Sequence, residues 1–128
     1  MIIEDRVCLG GVHTRRLSVP GSGVPIALLH GFADSADTWR GVLTAFQAAG
    51  RAAFAVDMPG YGHADPRKPG TIIAQLDAFI DATIAATGAV ILMGNSLGAC
   101  VSVRAASRGS GNICGVSQLT SPFWRRTC

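Results

Sequence analysis

Three short apolar runs, at residues 25–30, 51–57 and 89–93, each lead into a longer segment that ends in or contains a helical pattern. No other feature limits the fold of this chain as strongly. A strand that is apolar along its length must be covered on both faces, and a parallel sheet flanked by helices does this. After the first run, Asp34, Ser35 and Asp37 form a capping cluster with acid where it suits the helix dipole. Trp39, Val42, Leu43 and Phe46 then recur at helical spacing until Gly50, so Trp39 and Phe46 are expected in the core rather than in a pocket. After the second run comes a loop over 58–70, rich in Pro and Gly. Thr71 is expected to cap a helix with Ile72, Ile73, Leu76, Phe79, Ile80 and Ile84 on its apolar face, ended by Gly88. A helix of small residues over 96–107 follows the third run. Three such alternations predict right-handed βαβ units: an α/β fold with a mostly parallel sheet and helices on both faces.

The flanks read differently. Residues 6–12 and 15–19 look like a hairpin of half-exposed strands. Beyond Gly109, Ser110 and Gly111 the composition shifts to Ser, Thr and Arg. Residues 113–120 have a poor strand pattern, broken by Gly115, Ser117 and Gln118. The chain thus divides into 1–108, which holds the βα units, and 109–128, a poorly ordered tail or one extra edge strand. The third run is then expected at or beside an open sheet edge, where self-association is favoured.

Composition removes several classes. The 128 residues fit one domain, and a 48% hydrophobic content is too high for a disordered chain. No apolar stretch approaches the ~20 residues of a membrane span. Glu4 and Asp5 stand where a signal peptide would be basic or apolar. Cys8, Cys100, Cys114 and Cys128 are scattered, as expected of reduced cytoplasmic thiols rather than a disulfide framework or a metal site. Residues 97–128 carry four arginines and no acid, but without aromatic interleaving they make no nucleic-acid stripe. The chain has no Gly-rich loop ending in Lys-Ser/Thr to hold phosphates, so Asp57-Met-Pro-Gly60 is not read as a nucleotide switch.

The chemistry gathers at the ends of the runs. His30-Gly31-Phe32 follows the first, Asp57-Met-Pro-Gly-Tyr-Gly62 the second and Gly94-Asn-Ser-Leu-Gly98 the third. A G-x-S-x-G sequence between an apolar strand and a helix has the pattern of a nucleophile elbow. Its serine sits on a strained turn, and the residues two before and two after must be small for strand and helix to approach. The plainer alternative is a tight turn with Ser96 as a helix cap.

These three motifs, in this order, resemble the α/β-hydrolase family over residues 15–108. The resemblance implies Ser96 as nucleophile, with the backbone N–H groups of Phe32 and Leu97 as the oxyanion hole. His30, Gly31, Gly94 and Gly98 would support the motif, and His30 would either shape the oxyanion loop or be a satisfied core histidine. It implies hydrolysis of an ester-like acyl bond in a small molecule through an acyl-serine intermediate, with no cofactor and no metal. Asn95 before the serine also fits relatives that cleave carbon–carbon bonds. Epoxide hydrolases and haloalkane dehalogenases of this fold carry aspartate at the elbow, which Ser96 does not match.

One part of the family pattern is missing. The catalytic acid and histidine of the family follow the nucleophile, yet no Asp, Glu or His occurs after Ser96. The expectation is therefore the N-terminal part of such a domain, truncated after the nucleophile helix and inactive or weak alone. The competing expectation is a non-catalytic remnant or binding module that keeps the fold without the chemistry.

Overall fold

Strand pairing follows the apolar runs. The computed structural model describes residues 1–119. In chain order the elements are β1 (Ile3–Leu9), β2 (Val12–Val19), β3 (Ser22–Leu29), α1 (Arg40–Ala48), β4 (Arg51–Val56), α2 (Ile72–Thr87), β5 (Val90–Asn95), α3 (Leu97–Ser107) and β6 (Ile113–Leu119), with a short 3-10 turn at Ala36–Trp39 before α1. They build one six-stranded sheet in the order β1-β2-β4-β3-β5-β6. Strands β4, β3, β5 and β6 run parallel, whereas β2 pairs antiparallel with both β1 and β4. The result is the α/β fold expected, a mixed sheet in which β4, β3, β5 and β6 are parallel and the hairpin strands are not.

Alternation along β3 divides the core. Ala27 and Leu29 face one side, with Leu76, Phe79 and Ile80 of α2 and Val101 and Ala105 of α3. Ile26 and Leu28 face the other, with Trp39 and with Leu43 of α1. Side chains of Leu, Ile and Phe size each gain roughly 1.5–3 kcal/mol on full burial, so both faces contribute substantially. Trp39 is buried and Phe46 packs at the margin of the same cluster, both as core.

Several boundaries differ from expectation, each for a local reason. The hairpin turns at Gly10 and Gly11, whose φ values of 59° and 79° suit a two-residue turn of the primed type, so β1 starts and ends earlier than the sequence suggests. Ser35, not Asp34, caps the 3-10 turn, accepting the Asp37 N–H at 3.3 Å. Thr71 stands at the cap position of α2 but makes no capping bond. The Gln75 amide holds that entry instead, exchanging hydrogen bonds with the Lys68 backbone at 2.7 and 2.9 Å. β5 runs on into the glycine motif, because Gly94 still pairs with Leu29 and Asn95 with Leu119.

Residues 113–119 form the edge strand β6, paired in parallel with β5 but with no fully buried residue. Residues 120–128 of the segment that the sequence left undecided lie outside the described residues. Among those described, no helix is long and apolar enough to cross a membrane.

The order has one functional consequence. From β3, the chain crosses to β4 on one side and later to β5 on the other, so strand order reverses at β3. A crevice opens outside the carboxyl ends of strands at such a reversal, and open α/β sheets bind their ligands there.

Protection should follow burial. Hydrogen exchange is expected to be slowest at residues 26–29, 53–56 and 90–94, and distinctly faster over 113–119, whose outer edge is unpaired among the described residues. Equal protection of β6 and β3 would contradict this arrangement.

Candidate active site

Ser96 is the single residue between β5 and α3, with φ 55° and ψ −112°. For a non-glycine residue this is a strained conformation, costing on the order of 1–3 kcal/mol, that persists only where its surroundings fix it. They do so by crowding. A Cβ on Gly94 would overlap the Gly98 carbonyl, and one on Gly98 would overlap the Leu29 carbonyl. The two glycines therefore let the start of α3 lie directly against β5 and β3. The Ser96 carbonyl accepts the Cys100 N–H at 3.0 Å, while its hydroxyl caps nothing and the residue is exposed. The helix-cap alternative thus finds no capping bond to support it.

The loop after β3 comes up to this turn. A Cβ on Gly31 would sit 3.5 Å from that of Ser96 and 3.4 Å from the Asn95 carbonyl oxygen. Phe32 follows, 72% exposed, and Ala33 takes a positive φ of 57°. His30 anchors the loop from beneath. It is fully buried, and its Nε2 accepts the Met58 N–H at 2.9 Å. That bond leaves the proton on Nδ1, which donates to the Gly31 carbonyl at 2.8 Å. Burial pushes its pKa below the usual histidine value, and both ring nitrogens are engaged. His30 thus clasps the ends of β3 and β4 together, as a loop-shaping and core residue at once.

Asp57 does more than its place in the sequence motif shows. Its carboxylate is fully buried and accepts the Ala36 N–H at 2.7 Å, the His63 N–H at 2.9 Å and Arg15 Nε at 3.0 Å. One side chain thereby fixes the loop after β3, the loop after β4 and the antiparallel strand β2. Gly62 has to be glycine here, since a Cβ would press on the carboxylate and its φ is 51°. Burial alone would raise the Asp57 pKa, but Arg15 and the two N–H donors outweigh it and hold it below the ordinary carboxylate value. Arg15 also forks onto Asp37 at 3.0 and 3.1 Å. Together with Arg40 it holds the Asp37 carboxyl down to about 2.

The structure thus brings Gly31, Ser96, Gly94 and Gly98 into one junction. Phe32 and Leu97 flank it, the first on the loop after β3 and the second opening α3. Among the described residues, no cluster of three or more His, Cys, Asp or Glu could hold a metal ion.

Known proteins share this fold. Residues 26–126 match the sequence profile of the Alpha/beta hydrolase family. An esterase of Mycobacterium tuberculosis is 34% identical over 106 residues, which cover 80% of this chain and 34% of that protein. The dihydrolipoyllysine-residue acetyltransferase component of the acetoin cleaving system of Cupriavidus necator is 30% identical over 88% of this chain and 30% of that protein. The chain therefore spans about a third of the curated relatives it matches. The crystal structure of an epoxide hydrolase from Vigna radiata superposes with a TM-score of 0.79 at 29% identity, covering 95% of this chain and 41% of that one.

Two outcomes follow for this end of the sheet. Asp57→Asn should cost about 3 kcal/mol in urea unfolding, because it leaves the buried Arg15 short of a countercharge; a cost below about 1 kcal/mol would contradict a hub role. Acid should act in two stages. His30 has a folded pKa below its ordinary 6.5, so its contribution is full above that pH and falls as protons bind the unfolded chain below it. Asp57 and Asp37 are likewise depressed, so their contributions are lost only as pH falls below the ordinary 3.8. Thermal unfolding against pH should show both declines, and His30→Gln should remove only the upper one.

Proposed function

Because the chain belongs to the α/β-hydrolase family, we propose that it carries the nucleophile and oxyanion halves of a serine hydrolase acting on ester-like acyl bonds. The observation that carries this reading is Ser96, strained, exposed and wedged against Gly31 at the reversal of strand order. Its hydroxyl oxygen attacks the acyl carbon while its proton passes to a base. The carbonyl π electrons move onto oxygen, and the backbone N–H groups of Phe32 and Leu97 receive the resulting oxyanion. Donors aimed at developing charge in this way are each worth about 3–4 kcal/mol of barrier. Collapse expels the alcohol with a proton and leaves acyl-Ser96, which water then hydrolyses.

Ser96 also favours an acyl carbon over the epoxide of the structural relative. Its alkoxide forms an ester that a second water attack can cleave, whereas ring opening by an alkoxide would leave a stable ether. Carbon–carbon hydrolysis stays within the same scheme as a subclass. The base is the unmet requirement. Residues 97–128 hold no Asp, Glu or His, and His30 has no free ring nitrogen. His13 faces Asp65, and His63, on the loop after β4, is the remaining histidine and stands before rather than after the nucleophile in the chain. The 128-residue chain should therefore be weak or inactive alone, and the second reading, a non-catalytic hydrolase-fold remnant, draws on the same observation.

A fluorophosphonate separates the two. Imidazole supplied in solution should raise labelling of the chain severalfold, with mass spectrometry placing the adduct on Ser96 and Ser96→Ala unlabelled. Without imidazole, hydrolysis of an activated aryl ester should not exceed that of Ser96→Ala. A chain that stays unlabelled even with imidazole, or labels elsewhere, supports the remnant.

A further inference from the structure

We infer that Arg67 is a specificity-determining residue that recognises an anionic group on the substrate of the Ser96 site; this rests on the proposed hydrolase reading. The loop over 58–70 follows β4 and carries an aromatic array that joins it to the loop after β3. The Tyr61 ring meets the His30 ring edge-on, with centroids 5.3 Å apart, and the exposed Phe32 ring at 6.0 Å. Arg67 closes the array, its guanidinium carbon 5.2 Å from the Tyr61 centroid. Its stem lies over Gly60, whose φ of 82° and missing side chain provide the space, since a Cβ there would come within 2.8 Å of Arg67 Cγ and Nη1. Packed between a glycine and an aromatic face, this cation is held by cation–π attraction as well as by contact.

Among the described residues, the guanidinium has no hydrogen-bond acceptor. Every other arginine among the described residues donates to a carboxylate or to a backbone carbonyl: Arg15, Arg16, Arg40, Arg104 and Arg108 to carboxylates, Arg6 and Arg51 to carbonyls. Arg67 donates to neither. No ion pair joins Arg67 to a carboxylate among the described residues; Asp57 and Asp37 are paired with Arg15 instead. A positioned, exposed fork of donors, linked through Tyr61 to the Phe32 loop, matches a carboxylate in geometry and charge. The substrate class is thus an ester-like molecule bearing a second, anionic group, with its apolar part against Phe32.

A nonhydrolysable ligand pair tests this on the full chain. N-phenylsuccinamic acid carries the carboxylate, and N-phenylbutanamide is its neutral counterpart. In an NMR titration the acid should bind about tenfold or more tightly than the neutral amide, the range set by a hydrogen bond to a charged group. It should shift the Phe32 and Leu97 amides and the Arg67 Nε–H. Arg67→Gln should abolish the preference, Arg67→Lys should keep part of it, and Lys68→Gln should leave it largely intact. Equal binding of the two ligands, no binding of either, a preference that survives Arg67→Gln, or equal loss in the Arg67 and Lys68 variants overturns the inference. Fluorophosphonate labelling of Ser96 is scored separately. Its failure alone would count against the nucleophile, whereas a failed anion preference beside intact labelling would count only against Arg67.

Discussion

A single buried carboxylate organises the carboxyl end of this sheet. Asp57 gathers the loop after β3, the loop after β4 and the hairpin strand β2 through Ala36, His63 and Arg15. Burying a charge is costly unless it is fully bonded, and here donors from three separate segments converge on it. Such a group specifies a unique arrangement as much as it stabilises one. Any other placement of these loops would strand either the carboxylate or the Arg15 guanidinium away from water. His30 adds a second, neutral tie between the same strand ends.

Ser96 inherits its conformation from that arrangement. Its left-handed φ is held by the close approach of α3 to β5 and β3, which Gly94 and Gly98 permit. The loop fixed by Asp57 and His30 supplies the opposing wall through Gly31. The acidic network fixes the loop that carries Phe32, through the Ala36 N–H. The family relation establishes a hydrolase fold, and the geometry of this junction is the ground for assigning the serine its role.

The three central strands, the helices and the glycine spacing were legible in the sequence because each is a local pattern of apolar period and small residues. The Gly10–Gly11 turn was less so, since Val7, Cys8 and Leu9 before it and Val12 after it are all apolar and mark no break in the run. Strand β6 was ambiguous for a physical reason. An edge strand buries little, so Gly115, Ser117 and Gln118 can occupy it and erase the pattern that would reveal it. The Asp57 network was hidden more deeply. Its partner Arg15 lies 42 residues away in a strand that reads as half exposed, and no periodicity signals a buried ion pair. Only the two glycines after Asp57 hinted that its loop was tightly wound. Arg67 was equally silent, because no local pattern shows that an arginine will find no acceptor among the described residues.

On the proposed function, Ser96, Phe32 and Leu97 form one reaction site. A crystal structure of the chain carrying a phosphonate adduct tests it directly. Phosphorus is expected bonded to Ser96 Oγ, with the phosphoryl oxygen accepting both the Phe32 and Leu97 N–H groups at roughly 2.7–3.1 Å, the range of working oxyanion holes. An adduct whose phosphoryl oxygen faces solvent, or one formed on another residue, would contradict it.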